Sequence, residues 1–313
     1  MQQGAPQPKG PFLRQLPQAT ILKASVPCPM RSATVILQLI CPDRRGLVSE
    51  LAGWVAANGG NIRHADHHTD AGTGLFLSRL EWDLEGFGLP REAIAPAVAA
   101  LAARLGGEGQ VHFTDAQTRV ALFVSRQDHC LIDLLWRTRS GELPMQVPLV
   151  VANHPDLRQS VENFGAQFEY LPISAADRAE VEAAQLDLLA KHRIDLVILA
   201  KYMQVLSPAF LEHFSEVINI HHSFLPAFQG AQPYQRAWER GVKLIGATAH
   251  FVTAELDGGP IIQQVIVPVS HRDEVEDLIR KGRDCERLAL AQAVRLVLCH
   301  QVMVYRGRTA VFD

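Results

Sequence analysis

Two patterns of apolar spacing divide the chain. In the first, Ala33–Cys41 reads as a strand and leads into LVSELAGWVAANGG, where Leu47, Leu51, Trp54 and Val55 recur at helical spacing until Gly59-Gly60 stops them. Asn61–Thr69 and Leu75–Asp83 pair as strands around the turn Asp70–Gly74. A helix over Arg91–Leu105 follows Pro90, and Gln110–Thr114 closes as a short strand. The order βαββαβ predicts a ferredoxin-like sandwich with an antiparallel sheet, an α+β unit. Gly106, Gly107 and Gly109 then interrupt the periodicity, and the boundary is placed close to Gln117, giving domains 33–116 and 117–313. Residues 1–32, rich in Pro and Gln without periodicity, read as a flexible tail.

In the second pattern, apolar runs alternate with helical ones. Strands are expected at Val120–Val124, Met145–Ala152, Leu196–Leu199 and Val217–Ile220. Helices are expected at Cys130–Thr138, Leu157–Phe164, Ala175–His192 and Ala209–His213. This alternation predicts an α/β domain with a mostly parallel sheet, whose ligands bind beyond the carboxyl ends of the strands. Further on come a helix Tyr234–Arg240, strands Ile245–Val252 and Ile261–Val267, a charged helix Arg272–Lys281 and an amphipathic helix Arg283–Leu298. VMVYRGRTAVF ends the chain as a hairpin around Arg306-Gly307 that reads as structural.

The 313 residues suffice for two cores, and 48% apolar content with a formal charge of −3 gives no bias toward nucleic acid or membrane. Five cysteines stand scattered without CxxC pairing, as in a reducing compartment, and no secretory pattern opens the chain. A cytoplasmic location is expected. In RHADHHTD, His64 and His68 share one strand face and His67 the other, with no fourth ligand close in sequence, so a solvated face is expected there and no metal.

Chemistry concentrates between Val217 and Gln264. Asn219 interrupts an apolar strand end that also delivers His221 and His222; Pro226, Gly230 and Pro233 mark a loop; His250 lies near the end of the next strand. In ELDGGP, Gly258 and Gly259 let the backbone turn sharply beside Asp257. Taken singly, Asn219 and His221 could cap a strand and His250 fill a polar core position. Taken together, an amide donor, an imidazole and a carboxylate are the parts needed to attack a carbonyl or formyl carbon. Asn219 can donate to an oxygen that becomes negative, a contribution of about 10²–10³ in rate. His221 can exchange protons near neutrality, and Asp257 can raise its basicity or fix a water. No Ser or Cys stands in a GxSxG setting, which disfavours a covalent route.

INIHHSFLPAFQGAQPYQRAWERGVKLIGATAHFVTAELDGGPIIQQ resembles the folate-dependent formyltransferase family, whose motif runs NIHPSLLP…G…HFV…ELDGGPI. The resemblance extends from about Arg119 to the C-terminus. It implies a Rossmann-like α/β formyltransferase domain with Asn219, His221 and Asp257 as catalytic residues. It further implies that the backbone of AKYMQVLSP reads a pterin ring while Met203, Gln204, Val205 and Leu206 enclose it, with Gly230, His222 and His250 in the pocket. Where the family has His-Pro, this chain has His221-His222, which resembles the hydrolytic branch, the formyltetrahydrofolate deformylases.

The turn after the first strand of this domain bears on transfer against hydrolysis. Relatives that formylate an amine carry a Gly-rich turn there that cradles the acceptor's phosphate; this chain has SRQDHCLIDLL, without glycine. Asp128 and His129 are expected to close the pocket, and Cys130 to be a buried helix residue. The resemblance thus implies hydrolysis of 10-formyltetrahydrofolate to formate and tetrahydrofolate, supplying formate for purine synthesis and balancing folate pools, with water as co-substrate and no metal or redox cofactor. The alternatives are formyl transfer to an amine, or a folate or amino-acid sensor without turnover. CPDRRGLVSELAGWVAANGGNI resembles the ACT regulatory domain, which implies a small amino-acid effector at Asp43, Gly46, Asn58, Gly60 and Asn61, and a homo-oligomer, a dimer or tetramer.

Overall fold

Along β1 (Thr34–Pro42), Val35, Leu37, Leu39 and Cys41 enter one apolar cluster, while Ile40 enters another on the opposite face. α1 (Leu47–Ala57) supplies Leu47, Leu51 and Val55 to the first cluster. β2 (Ile62–Asp70) and β3 (Leu75–Asp83) follow, then α2 (Arg91–Arg104), which adds Ile94, Val98 and Leu101, and β4 (Glu108–Phe113). The sheet is antiparallel in the order β2-β3-β1-β4, with both helices on one face, as the βαββαβ pattern predicts. These positions come from a computed structural model that describes residues 33–225 and 233–312. The tail expected over residues 1–32, and Gly230, lie outside the described residues.

The second sheet begins with β5 (Thr118–Val124), whose Val120, Leu122 and Val124 face one side and Ala121 and Phe123 the other. α3 (His129–Arg139), β6 (Met145–Ala152), α4 (Arg158–Glu162), β7 (Gln167–Tyr170), α5 (Arg178–Lys191), β8 (Leu196–Leu199), α6 (Pro208–His213) and β9 (Val217–His221) complete its parallel part. α7 (Pro233–Arg240), then β10 (Leu244–Phe251) and β11 (Ile261–Pro268), extend it antiparallel to the order β11-β10-β9-β8-β5-β6-β7. α8 (Val275–Leu298) packs with α3 on one face, and α5 and α6 cover the other. β5 connects outward to β6 while its neighbour β8 connects the other way to β9, so the sheet reverses order between β5 and β8. Such a reversal opens a crevice at the carboxyl ends.

Two elements differ from expectation, and a third stands where it is expected. β7 is a four-residue edge strand with one buried side chain, Phe168, too short to show alternation. The helices expected at Arg272–Lys281 and Arg283–Leu298 are one helix, α8. It starts at Val275, where the Glu274 backbone N–H donates to Asp277 Oδ2 at 3.2 Å. It runs through Gly282 because the ring of Tyr234 takes the space of a side chain: a Cβ there would lie 2.0 Å from Tyr234 Oη. Lastly, the terminal hairpin of β12 (Val302–Tyr305) and β13 (Arg308–Val311) covers the second face of the first sheet, with Met303, Tyr305 and Phe312 packed against Leu77.

Polar bonds fasten the chain leading into this hairpin. Gln38 Nε2 donates to the carbonyls of His300 and Val302, and Arg79 Nε donates to the His300 carbonyl at 3.0 Å. The His300 ring stacks on His112 at 3.7 Å. Burial, with His112 and Arg79 close by, pushes His300 down to about 3. A depressed imidazole gives stability that is complete above its unfolded pKa of about 6.5 and is lost as pH falls toward the folded value. His300→Asn, which tolerates the backbone φ of 51°, should therefore flatten the fall in urea stability between pH 6.5 and 4.5 by roughly 1 kcal/mol per pH unit. Denaturation midpoints at the two pH values measure it.

Candidate active site

β9 and β10 bring the polar groups together by register. Asn219 and His221 are two residues apart on β9 and share a face. Across the antiparallel pair, His250 lies opposite Asn219 and Thr248 opposite His221. A bulge between Ala249 and His250 re-aims the end of β10. His250 Nδ1 stands 2.8 Å from the Phe251 carbonyl, to which it can only donate, so its Nε2 accepts from Asn219 Nδ2 at 3.3 Å. The other N–H of the Asn219 amide has no partner among the described residues and is available to a ligand. Burial pushes the pKa of His250 down, which keeps that ring neutral.

Asp257 reaches His221 from the turn after β10. Its backbone adopts φ 53°, left-handed for a residue with a side chain, and its Oδ2 lies 3.2 Å from His221 Nδ1. The hydrogen bond from His221 holds the Asp257 carboxyl below its usual range, against the upward push of burial. With Nδ1–H committed to Asp257, His221 Nε2 carries the lone pair, and it is buried without a partner among the described residues. Asp257 Oδ1 is 3.7 Å from His250 Nε2. Gly259 makes the turn possible, since a Cβ there would sit 1.8 Å from the Phe251 carbonyl oxygen. Gly259→Ala should displace Asp257 and lower kcat by about 10² or more, as misplacement near 1 Å does. Steady-state kinetics on variant with unchanged near-UV circular dichroism would check it.

These groups open on a cleft of about 670 Å³ that Met203, Gln204, Val205 and Leu206 also line. Met203, Val205 and, on the ELDGGP turn, Leu256 are 62%, 57% and 67% exposed at its border, an apolar rim suited to a flat ring. The 201–206 segment is held from behind: Ser125 Oγ accepts from the Met203 N–H at 2.9 Å, and Arg178 donates to the Val205 carbonyl.

Of the residues expected in the site, Asn219, His221, His222, His250, Asp257 and Met203 to Leu206 all border the cleft. Asp128 and His129 do not; their neighbour Gln127 does. The ring of His129 turns inward to Glu286 at 2.5 Å, and Cys130 is buried, which pushes its thiol up and away from thiolate chemistry. Spacing along the chain gave no sign of Glu286, 157 residues from His129. Glu286 is 2% exposed, accepts from Lys201 Nζ at 3.1 Å and Tyr234 Oη at 3.2 Å, and lines the cleft beside both. Burial pushes the carboxyl up, but the His129 hydrogen bond and the Lys201 charge outweigh it and bring it to about 2. His129 Nε2, Cys130 Sγ and a Glu286 oxygen lie within 4.8 Å of one another, yet the Lys201 ammonium already supplies that carboxylate's cation. The set does not fit a metal. Burial and then Lys201 push His222 down to about 4, so its imidazole is neutral at pH 7.

The effector residues are divided. Asp43 and Gly46 precede α1, whereas Asn58, Gly60 and Asn61 follow it, about 16 Å away along an 11-residue helix. One chain does not bring both groups to a small ligand. Each already has structural work: Gly46 starts the helix at φ 90°, and Asn61 Nδ2 donates to Asp83 Oδ2 at 3.0 Å.

A mostly parallel sheet with an amide, an imidazole and a carboxylate at its carboxyl edge matches the formyl transferase family model over residues 118–294. A formyltetrahydrofolate deformylase of Synechocystis sp. is 55% identical over 90% of this chain and all of its own length. One of Bacillus subtilis is 43% identical over 88% and 93%. The crystal structure of a formyltetrahydrofolate deformylase from Pseudomonas syringae pv. tomato superposes with a TM-score of 0.88 at 41% identity, covering 91% of this chain and 96% of that one. The chain belongs to the formyltetrahydrofolate deformylase family within the formyl transferases.

Proposed function

We propose that this chain hydrolyses 10-formyltetrahydrofolate to formate and tetrahydrofolate, with Asn219, His221 and Asp257 as the catalytic residues. The observation that carries the assignment of roles is the unpartnered Nε2 of His221, buried in the cleft with Asp257 on the other side of its ring. The pterin ring lies on the Met203–Leu206 rim. Water at His221 Nε2 forms a bond to the formyl carbon and gives its proton to that nitrogen, while Asp257, on the opposite side of the ring, steadies the charge His221 gains. The oxygen that becomes negative takes the free N–H of Asn219. As the bond from carbon to N10 breaks, the His221 proton passes to N10; formic acid loses its remaining proton to solvent. Every step has a residue to perform it, so the chemistry calls for neither a metal nor a redox cofactor.

Formate release from 10-formyltetrahydrofolate without any amine tests this reading. Release that requires an added amine would make the chain a transferase, and ligand binding without turnover would make it a sensor.

The region 33–116 is read as a regulatory domain ahead of the catalytic domain 117–313. The separation of the effector residues along α1 supports a ligand held between two copies, and with it a homo-oligomer. No helix among the described residues is long and apolar enough to cross a membrane. Cys41, Cys130, Cys285 and Cys299 are unpaired thiols, which supports a reducing, cytoplasmic setting.

A further inference from the structure

The buried cluster of Lys201, Glu286, His129 and Tyr234 performs no step in that mechanism, although three of its members line the same cleft. We propose that this cluster closes the part of the cleft an amine acceptor would need, and so commits the formyl group to water. The inference rests on the hydrolytic reading and names the residues that make the reaction hydrolytic.

With a pterin on the Met203–Leu206 rim, Lys201, Tyr234 and Glu286 stand in the remaining lining, and an acceptor seated along it would meet them. Their polar atoms are already matched to one another. Both Glu286 oxygens are occupied, one by His129 and one by Lys201 and Tyr234 together. An acceptor would have to break into this set and leave a buried charge short of its partner, which is strongly unfavourable. Should an amine bind to Glu286 instead, the carboxylate would hold it as an ammonium, which has no lone pair for attack. Water needs no such room.

The start of α3 completes the exclusion. The free N–H groups of a helix N-terminus suit a phosphate. Here the first residue of α3, His129, is drawn onto the carboxylate of Glu286, and Asp128 precedes it as the cap, so two acidic groups stand by that helix start and disfavour an anion there. The arrangement is held under strain: Lys201 keeps a left-handed backbone, φ 64°, while its ammonium reaches Glu286.

The experiment is a product partition. The protein is given 10-formyltetrahydrofolate with hydroxylamine or glycinamide, and formate and formylated amine are quantified by mass spectrometry. In transfer, the amine nitrogen bonds to the formyl carbon, the bond to N10 breaks, and a proton from the amine moves to N10. The wild-type protein should yield formate at every amine concentration. His129→Ala, which leaves Glu286 paired with Lys201, should raise the ratio of formylated amine to formate by about tenfold or more. Lys201→Gly/Glu286→Ala removes both charges together and gives position 201 the residue its backbone favours; it should do the same. Folded variants that still give formate alone would overturn the proposal, as would wild-type protein that formylates either amine readily. Wild-type protein that releases no formate without amine would instead sink the hydrolytic reading.

Discussion

Asp257→Asn is expected to lower kcat for formate release by about 10³–10⁴ while changing KM little. The substitution keeps the size of the side chain and can keep one contact with His221. It removes the charge that orients the imidazole with Nδ1 protonated, and an amide turned with its N–H toward Nδ1 would favour the wrong tautomer. Because the rim that grips the pterin is untouched, the loss should fall on kcat. The His221 hydrogen bond depresses the pKa of Asp257, so the charged form, and with it the hold on His221 Nδ1–H, persists below the ordinary carboxylate range. Parallel fits of kcat and KM across pH measure both effects; a fall of less than tenfold in kcat would remove Asp257 from the mechanism.

Glu286→Ala should be the costliest single change to stability outside the apolar cores. It strands the Lys201 ammonium, 6% exposed, and takes the partner from His129 and Tyr234 together. Breaking a buried pair from one side typically costs about 3–5 kcal/mol, whereas replacing both partners by apolar groups is often close to neutral. Lys201→Met/Glu286→Leu should therefore recover most of the stability that Glu286→Ala loses. Urea denaturation of Lys201→Met, Glu286→Leu and the double variant would show a coupling of several kcal/mol; additive effects would mean that the two charges do not support each other. The acid side adds a check. With Glu286 near 2 in the folded protein and about 4.5 unfolded, its contribution is complete above pH 4.5 and disappears as pH falls toward 2.

The sequence by itself determined most elements, because alternation and helical spacing are local properties. β6 and β8 fall at Met145–Ala152 and Leu196–Leu199, and the strand pair around Asp70–Gly74 stands where the turn residues place it. It also singled out Asn219, His221 and Asp257, which the fold brings to one cleft, since a polar residue interrupting an apolar strand end and a Gly-Gly turn after the next strand show in the order of letters. The tertiary structure decided what depends on partners far apart in the chain. Gly282 reads as a break until Tyr234, 48 positions earlier, is seen to fill its missing side chain. His129 reads as a pocket residue until Glu286, on the far helix, turns it away. Buried charge carries no signature in one chain segment, because what makes it tolerable is the opposite charge that folding brings beside it.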